Sequence, residues 1–566
     1  MKPAQSSEAF WLDNRLPLAI TFPFLALLIP FTVYLSQRNY PMMSVEILPI
    51  LAGMVCVSTV IGLIRWAGGR LMYAICVSGL LTVAADYLFE WVAHSHTITL
   101  LVIFGVLVVL VRRLEKTMTL TVTVFLGVFA ISPFMRNGFE GESSPVLAVP
   151  QTVAMTKGLP RLIHLILDEH LGVEGIPDDT DYAKELKHKI KQFYQHYGFA
   201  LYGGAYSYYY DTIDSIPNLV NFSAENGNAI YATSEHAPYP LRQNRYFQFL
   251  KNEGYQIHVL DGNFIDFCSS PDAPPQSCTK YQWNTWGKVA KLDLPPLTKT
   301  TTLLATFVAS YSRYQSVLNL YEQRMRPFLL SQGVVIPVVD RESFWTRRRF
   351  YPFAVNAMGA MEAVSANLLQ LTPGHMLFAH LLVPHHAYVY REDCSPREIS
   401  ESLGNMDLLP LELRTTEDRE LRFNQYLRQV ECLYTKLDEL FRRMQSSGVF
   451  DDSIIIVHGD HGSRLGLRQP RLKEQSQLTP ADYADALSTL FAAKIPGKSG
   501  GYDPTRHAIN ELFVQTLGNS LGKVPSTSAP RREPFTYLYD ERRKQLVLVD
   551  MPWRPKNFPD SHAAVQ

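Results

Sequence analysis

The stretch DDSIIIVHGDHGSRLG, residues 451–466, decides the fold expected of this chain. Its β-branched run, Ile454 to Val457, is typical of a buried strand, and Asp460-His461-Gly462 follows as a turn. Carboxylate and imidazole groups both bind divalent metals, and open α/β sheets bind ligands at the carboxyl ends of their strands. The stretch therefore predicts a largely parallel α/β sheet with a metal site at this strand end. The alternative is a turn in which Asp460 and His461 only satisfy backbone groups.

Five apolar segments occupy the first quarter of the 566 residues. They are Leu16 to Ser36, Val45 to Ile64, Leu71 to Phe89, Thr97 to Val111 and Thr117 to Met135. Each is about long enough to cross a bilayer, so we predict five transmembrane helices. The 53 basic and 53 acidic residues cancel, and the overall charge gives no sign of nucleic-acid binding.

Basic residues between these segments predict their orientation. The loops expected inside the cell carry Arg65, Arg70, Arg112, Arg113 and Lys116. The alternate loops offer only Arg38, so the amino terminus is expected inside and everything after Met135 outside. A cleaved signal peptide is the alternative for the first segment. Glu8 and Asp13 argue against it, because a signal peptide begins with a positively charged region. We therefore predict a multi-pass protein of the inner (plasma) membrane whose large domain is periplasmic.

The rest of the chain divides by composition. Residues 1–136 are expected to form the membrane domain, residues 137–160 a linker rich in Gly, Ser and Pro, and residues 161–566 the exported domain. Four of the six cysteines lie in the exported part, an even number consistent with two disulfides. Cys268 and Cys278 enclose a proline-rich loop and are expected to pair, and Cys394 and Cys432 form the second candidate pair.

A second buried strand is predicted at residues 161–168, RLIHLILD, and it delivers Asp168 and Glu169 at its carboxyl end. Paired acids at a strand end are commonly a solvated turn. The pattern recurs at Asp460, however, and two strands that each end in metal-binding side chains are what a metal site at a sheet edge needs. We expect these two strand ends to share one site.

Residues 205–223, AYSYYYDTIDSIPNLVNFS, place Thr212 just before a segment that becomes apolar at Leu219. A hydroxyl there would lie near a helix amino terminus, where backbone N–H groups and the helix dipole favour an anion. Beside a divalent cation, such a hydroxyl can ionise and attack phosphorus or sulfur. The alternative is that Thr212 or Ser215 is only a helix N-cap.

Two further elements surround this site. A strand predicted at residues 375–383, HMLFAHLLV, leads into a loop with His385 and His386. Together with His380, these histidines indicate proton transfer or substrate contact. Residues 416–447 carry apolar residues at helical spacing, which predicts a helix that serves packing only.

These motifs together resemble the alkaline phosphatase and sulfatase superfamily. They are Asp168-Glu169 after a first strand, Thr-x-x-Ser-x-Pro at residues 212–217, Pro-His at residues 384–385, and the run from Tyr426 to Gly462. The apolar amino terminus is similar to the membrane branch of that superfamily, the lipid A phosphoethanolamine transferases and lipoteichoic acid synthases. The resemblance covers most of residues 161–520, implies a sulfatase-like catalytic domain, and leaves residues 283–353 unmatched.

The resemblance also implies roles for single residues. It makes Thr212 the nucleophile and a metal ligand, with Glu169, or Asp168 with it, binding the metal alongside Asp460 and His461. It makes His385 a catalytic residue that contacts the transferred group. His386, Ser215 and Arg464 are expected to bind substrate. The cofactor is expected to be a divalent metal, with Zn²⁺ favoured over Mn²⁺ because one ligand is an imidazole.

One departure from the family concerns a second metal. Phosphoethanolamine transferases carry a further histidine shortly after the Asp-His-Gly, whereas here none occurs between His461 and His507. Arg464 and Arg468 occupy that stretch, and His458 is the one remaining substitute near the strand end. A full second metal site is therefore not predicted.

The expected function is a metal-dependent transferase in the membrane. It would move a phospho-headgroup from a membrane phospholipid donor to an envelope glycolipid or glycan acceptor through a phospho-threonine at Thr212. A sulfatase or phosphodiesterase that releases the group to water is the first alternative. A non-catalytic membrane regulator with a sulfatase-like domain is the second, and the joint presence of Glu169, Thr212, Asp460 and His461 argues against it.

Overall fold

The computed structural model describes most of the chain. The described residues are 16–89, 97–113, 116–137, 158–224, 238–262, 264–270, 272–311, 321, 325–334, 344–409, 411–525, 534–540, 543 and 545–552. They divide into two compact units, one of residues 1–143 and 285–335 and one of residues 144–284 and 336–566.

Helices and strands are numbered here in chain order. The helices are α1 (Leu16–Gln37), α2 (Leu48–Phe89), α3 (Thr97–Arg113), α4 (Lys116–Asn137), α5 (Asp181–His196), α6 (Thr212–Val220), α7 (Arg245–Asn252), α8 (Gly287–Ala290), α9 (Pro296–Ala309), α10 (Arg326–Ser331), α11 (Phe344–Leu368), α12 (Thr416–Ser446), α13 (Pro480–Leu487) and α14 (Ile509–Leu521). The strands are β1 (Arg161–Leu167), β2 (Ala200–Tyr206), β3 (Tyr239–Pro240), β4 (Gln256–Asp261), β5 (Ile265–Asp266), β6 (Ser277–Lys280), β7 (His375–Leu381), β8 (Ser453–His458), β9 (Phe491–Lys494), β10 (Gly501–Ala508), β11 (Phe535–Asp540) and β12 (Gln545–Asp550).

The first unit contains the amino-terminal apolar helices. Within the described residues, three are long and apolar enough to cross a membrane, namely Pro17–Gln37, Val45–Arg65 and Gly69–Phe89. The last two are separate spans because α2 is broken at Gly69, whose φ of 85° is rare for any residue with a side chain.

The prediction of five spans is wrong by this measure. Helix α3 has 17 residues and is therefore about 25 Å long, which falls short of a hydrocarbon core of about 30 Å. Helix α4 has 22 residues and opens with the polar residues Lys116, Thr117 and Thr119, and the apolar helix found within its described part is Leu120–Ser132. The first unit also includes α8, α9 and α10 from the region that the family resemblance left unmatched.

The second unit is built on an eight-stranded sheet of order β10-β2-β9-β8-β1-β7-β4-β6. Strand β9 is antiparallel to both β2 and β8, and every other neighbouring pair is parallel. This confirms the predicted α/β fold with a mostly parallel central sheet. A separate antiparallel hairpin, β11-β12, follows.

The central strands are apolar on both faces. Every residue of β7 and β8 is buried, as are all residues of β1 after Arg161. One face, with Leu162, Ile166 and Ile456, shares a core with residues of α6, α7 and α14. Helix α11 packs on β7, and α12 packs on α11 and α5. Helices therefore cover a buried parallel sheet, which explains the continuous apolar runs in the sequence.

Both expected disulfides are present. The structure joins Cys268 to Cys278 and Cys394 to Cys432. The first pair closes the loop between β5 and β6, and the second ties the loop after β7 to α12.

Candidate active site

The predicted site residues lie at one edge of the sheet. Strands β8, β1 and β7 are neighbours and parallel, so the residues after their carboxyl ends meet. Asp168 follows β1, Asp460 follows β8 and His385 lies in the loop after β7. Strand β2 runs in the same direction two places further along and leads to Thr212. This edge is where parallel α/β sheets place their ligands.

Three of the predicted metal ligands converge. Asp168, Asp460 and His461 each offer a ligand atom, and these atoms lie within 4.8 Å of one another. All three residues are buried. Asp168 Oδ1 and Asp460 Oδ2 have no hydrogen-bond partner among the described residues. Because buried carboxylate oxygens are costly without a donor or a cation, this donor set fits a divalent metal ion.

The His461 imidazole is oriented by the backbone. Its Nδ1 lies 2.9 Å from the carbonyl oxygen of Gly462, which can only accept, so Nδ1 donates and Nε2 presents a lone pair. A metal-binding histidine commonly donates its other nitrogen to a carbonyl in this way. The Thr212 hydroxyl donates to that Nε2 at 3.1 Å. The threonine is therefore in direct contact with the candidate metal site.

Helix α6 begins at Thr212, as predicted, with Asp211 as its N-cap. Ser215, one turn further on, has a different setting. Its hydroxyl donates to the carbonyl oxygen of Asp460 at 2.6 Å and lies 3.0 Å from the hydroxyl of Ser207. Ser215 thus fixes the backbone at Asp460 and is buried.

The Glu169 side chain points into a second cluster. Its Oε1 accepts from Nε of Arg464 at 2.7 Å and from the Arg464 Nη2 group as well. His385 Nε2 and His386 Nδ1 approach the same carboxylate at 3.7 and 3.6 Å. Asn405 donates to Oε1 at 3.3 Å. Glu169, His385 and His386 form a second group whose geometry could hold a metal.

The two acids after β1 therefore serve different groups. Glu169 contacts the group of Asp168, Asp460 and His461 through its backbone N–H, which donates to Asp460 Oδ1 at 3.0 Å. Its φ of 62° is unusual for a residue with a side chain and separates its carboxylate from that of Asp168. Arg464, at φ 55°, also donates to Asp211 at 3.0 Å. The arginine links the β1 turn to the start of α6.

One residue at this edge, Asp261, escaped the sequence argument, and it lies beside His380, which the sequence did single out. His380, within β7, lies between Asp168 at 3.4 Å and Asp261 at 3.7 Å. Asp261 is the last residue of β4, and its position at the end of an apolar strand was the available signal. Burial works against a charged imidazole, but Asp168 and Asp261 raise the pKa of His380 to about 10. His380 therefore lies between two carboxylates, one of which belongs to a candidate metal ligand.

Helix α12 does more than pack. The Tyr426 hydroxyl donates to the carbonyl of Glu169 at 2.9 Å and accepts from the N–H of Leu171 at 2.8 Å. The Gln429 amide donates to the carbonyls of Pro384 and His385 at 3.1 and 3.2 Å. The prediction that this helix serves packing only was wrong, because one turn of it holds both active-site loops.

Charge and burial also shift the pKa values of the acids in different directions. Burial, with Asp168 beside it, raises the pKa of Asp460. Burial also opposes ionisation of Glu169, but Arg464 and then His385 hold the pKa of its carboxyl well below its usual value. Burial lowers the pKa of His386 to about 4. A cation among Asp168, Asp460 and His461 would favour the ionised form of both aspartates.

His458 does not offer a metal ligand. Its Nδ1 donates to the carbonyl of Gly459 at 2.6 Å, and its Nε2 lies 2.7 Å from Nε2 of His164. His164 in turn accepts from the Tyr246 hydroxyl at 3.2 Å. Both histidines are fully buried within the sheet, so this pair belongs to the core.

Comparison with known proteins gives a short sequence match. No protein-family model matches the chain. Over 85 residues it is 34% identical to a lipoteichoic acid synthase of Staphylococcus saprophyticus, a match that covers 14% of this chain and 13% of that protein. A lipoteichoic acid synthase of Staphylococcus aureus is 33% identical over 81 residues, 13% of this chain and 12% of that protein.

The resemblance to the alkaline phosphatase and sulfatase superfamily is confirmed. The matched part is about an eighth of each relative, so the similarity alone does not carry over their activity.

Solved structures of similar proteins are distant. A lipoteichoic acid synthase from Listeria monocytogenes aligns with a TM-score of 0.36 at 12% identity, covering 71% of this chain and 87% of that one. The periplasmic domain of a phosphoethanolamine transferase from Campylobacter jejuni gives a TM-score of 0.34 at 12% identity, covering 64% and 89%. At TM-scores below 0.5, these likenesses say nothing about substrate or residue roles.

Proposed function

We propose that this chain is a metal-dependent phosphotransferase of the superfamily, acting at the outer face of the inner membrane. The observation that carries the proposal is the contact at 3.1 Å between the Thr212 hydroxyl and Nε2 of His461, beside the two buried aspartates. A hydroxyl held against a divalent metal site is the arrangement that covalent phosphoryl transfer uses.

Asp168, Asp460 and His461 would hold the ion, with the Thr212 oxygen as a fourth ligand. Glu169 is a further proposed ligand, and it would have to release Arg464 to bind the ion. Zn²⁺ is favoured over Mn²⁺ because the set includes an imidazole. When bound, the ion lowers the pKa of the threonine hydroxyl and neutralises charge on the phosphoryl oxygens.

The reaction would proceed in two displacements at phosphorus. In the first, Thr212 Oγ1 forms a bond to phosphorus, the bond to the diacylglycerol oxygen breaks, and that oxygen leaves with a proton. In the second, a hydroxyl of the acceptor attacks phosphorus, and Thr212 leaves and regains its proton. Helix α6 begins at Thr212, so its first-turn N–H groups and dipole favour the anionic group there.

His385 is proposed to move the protons. Its Nδ1 donates to the carbonyl of His386 at 2.6 Å, which leaves Nε2 as the nitrogen that can give and take a proton. Its side chain keeps 14% of its surface exposed, whereas His386 keeps 6%. His385 can therefore meet a substrate at the mouth of the site, and His386 lines the site beneath it.

Arg464 is proposed to bind the phosphoryl group. Its guanidinium lies between Glu169 and Asp211 and within 3.5 Å of His385 Nε2. A guanidinium matches phosphate oxygens with a pair of donors. Ser215 acts on the substrate through Asp460, whose backbone it holds.

The donor is proposed to be a membrane phospholipid with an ethanolamine or glycerol headgroup, and the acceptor an envelope glycolipid or glycan. The apolar helices of the first unit would keep the protein in the membrane where the donor lies. Residues 161–566, apart from the segment 285–335 that groups with those helices, would form the periplasmic catalytic part.

Intact-protein mass measurement tests the proposal. The full-length protein is incubated with phosphatidylethanolamine or, separately, with phosphatidylglycerol, without acceptor. We expect one of the two headgroup phosphates to be added to the protein and peptide mapping to place it on Thr212. A Thr212→Ala variant that acquires the same adduct, or formylglycine at residue 215, would favour the sulfatase-type hydrolase instead.

A further inference from the structure

The further inference concerns helix α9, in the region that the family resemblance left unmatched. Within the first unit, the Thr300 hydroxyl donates to the carbonyl of Glu46 at 2.8 Å. The Phe307 ring lies 5.4 Å from Phe31 and 5.5 Å from both Tyr34 and Tyr87. Helix α9 therefore packs against all three candidate spans.

These contacts lie at one end of the spans. Phe31 and Tyr34 are near the carboxyl end of Pro17–Gln37, Glu46 opens Val45–Arg65, and Tyr87 is close to the end of Gly69–Phe89. The opposite end carries the loop with Arg65 and Arg70, which the positive-inside rule places inside the cell. Helix α9 is therefore at the outer end of the spans.

Tyr311, two residues after the end of α9, strengthens this placement. The Tyr311 hydroxyl donates to Asp86 Oδ2 at 2.6 Å, and Asp86 is 3% exposed. This contact explains an acid in the third span as a residue of the outer boundary, and it holds the carboxyl end of α9 to the same span.

The outward face of α9 is mainly apolar. Leu297, Leu304 and Val308 are 72%, 47% and 40% exposed. Their spacing of seven and four residues puts them on one stripe of the helix. The exposed Thr301 lies on the same stripe, and its hydroxyl donates to the carbonyl of Thr298 at 3.1 Å. The other side of the helix carries Thr302, Leu303 and Ala305, which are 0%, 1% and 3% exposed. The outward face is therefore mainly apolar, and the one hydroxyl named on it is bonded to the helix backbone.

We propose that α9 is an interfacial helix whose stripe of Leu297, Leu304 and Val308 is inserted among the lipids of the outer leaflet. The argument for lipid is continuity with the spans. Val45 and Leu48, which flank the Glu46 contact, are themselves 67% and 62% exposed at the outer end of the second span. The apolar surface of the spans therefore continues onto α9, and a bilayer that covers one covers the other.

The proposal rests on the orientation of the spans and does not rest on the transferase chemistry. It gives the catalytic chain a second attachment to the membrane, apart from the amino-terminal spans themselves. A helix lying at headgroup depth also holds the chain at the level where a phospholipid presents its phosphate.

Nitroxide labelling measures the depth of α9 directly. The full chain is made in a Cys56→Ala, Cys76→Ala background, which removes both free thiols and keeps the two disulfides. Single labels are placed at Leu297→Cys, Leu304→Cys and Val308→Cys, and the protein is reconstituted in vesicles of phosphatidylethanolamine and phosphatidylglycerol. Glu420→Cys, exposed on α12 in the other unit, is the water-facing control.

We expect the three α9 labels to collide readily with oxygen and to be shielded from a water-soluble nickel chelate, in contrast with the control. Chelate collision equal to the control at all three positions would place the stripe in water and overturn the proposal. Low collision with both reagents would also overturn it, because a protein surface would then cover the stripe. The readout involves no turnover, so a failed transferase assay and a failed depth measurement are distinguishable.

Discussion

Arg464 and Glu169 form an ion pair at the floor of the candidate active site, in which Nε of the arginine donates to Oε1 of the glutamate at 2.7 Å. Glu169 is fully buried, and 14% of the Arg464 side chain is exposed. The pair gives the glutamate a compensating charge within the protein. Glu169 can therefore bind a metal ion only by exchanging this arginine for it. Asp168 and Asp460 instead face the imidazoles of His380 at 3.4 Å and His461 at 3.3 Å, and neither pairs with an arginine or lysine among the described residues.

This difference predicts how metal content responds to substitution. Asp168→Asn and Asp460→Asn should each remove most of the bound divalent ion, since each takes a charged ligand from the converging group. Glu169→Gln should retain more of it. Elemental analysis of protein purified with a fixed excess of Zn²⁺ measures this. If Glu169→Gln loses the ion and Asp168→Asn keeps it, the ion lies with Glu169, His385 and His386 instead.

The ion pair of Arg464 and Glu169 should also contribute to the free energy of unfolding. Arg464→Met leaves Glu169 as an uncompensated buried charge, which should lower the free energy of unfolding by about 3 to 5 kcal/mol. The double variant Arg464→Met, Glu169→Gln should recover much of that loss, because the charge is then gone. Denaturant unfolding of the metal-free protein measures both. Arg428→Met is the matched control, since that arginine pairs with Glu392 in a half-exposed setting and should cost about 1 kcal/mol or less. Equal losses in the single and double variants would show that the arginine acts through packing.

Thr212 and Ser215 provide a matched pair of hydroxyl deletions on one helix. Thr212→Ala should abolish turnover and adduct formation, because it removes the proposed nucleophile. Ser215→Ala should keep the adduct at Thr212 and weaken metal binding, since it releases the Asp460 backbone that Ser215 holds at 2.6 Å. Steady-state rates measured over a range of Zn²⁺ concentrations separate the two. The assignment fails if Ser215→Ala is inert and Thr212→Ala remains active at saturating metal.

The sequence predicted well which side chains meet at the edge of the sheet, and it predicted poorly the contacts around them. Asp168, Asp460 and His461 could be found because each follows an apolar strand directly, and chain direction alone brings such residues together. The partition between Asp168 and Glu169 depends on a single backbone angle, φ 62° at Glu169, which no spacing reveals. Asp261 and His380 meet only through the pairing of β4 with β7.

Helix α9 shows that the spacing of apolar residues does not predict which way a helix faces in a membrane protein. An outward stripe of Leu297, Leu304 and Val308 looks, in sequence, like the inward stripe of a soluble helix. The direction of that stripe follows from the contacts that Thr300 and Phe307 make with the spans, and this is tertiary information. The same holds for α12, where Tyr426 and Gln429 sit among apolar residues and serve the loops.

A buried histidine pair away from the site predicts a pH effect on stability. His258 on β4 and His375 on β7 lie 2.9 Å apart, and His258 also contacts Ser277 at 2.7 Å. Burial, with His375 beside it, lowers the pKa of His258 to about 4, and burial lowers the pKa of His375. The folded protein thus binds fewer protons than the unfolded chain below about pH 6.5, so stability should be full above that pH and fall between pH 6.5 and 4.

Denaturant midpoints at pH 7.5 and pH 5 measure this effect. In the double variant His258→Gln, His375→Gln, which cannot protonate, the midpoint should change less with pH than in the parent chain. His188→Gln, an exposed position on α5, is the control for a histidine-to-glutamine change outside the pair. An identical pH dependence in the parent and the double variant would contradict the prediction.

Topology gives the last prediction, and reporter fusions can decide between three and five spans. A span count of three or five is odd, so both place Asn137 outside if the amino terminus is inside. The two counts differ at Arg113, which is inside if α3 crosses the membrane and outside if it does not. A reporter that is active only outside the cytoplasm should therefore be silent after Arg70 and active after Phe89 and after Asn137. Since α3 is only 17 residues long, we expect activity after Arg113 as well. Silence there would restore five spans, and activity after Arg70 with silence after Phe89 would reverse the orientation and with it the outer placement of α9.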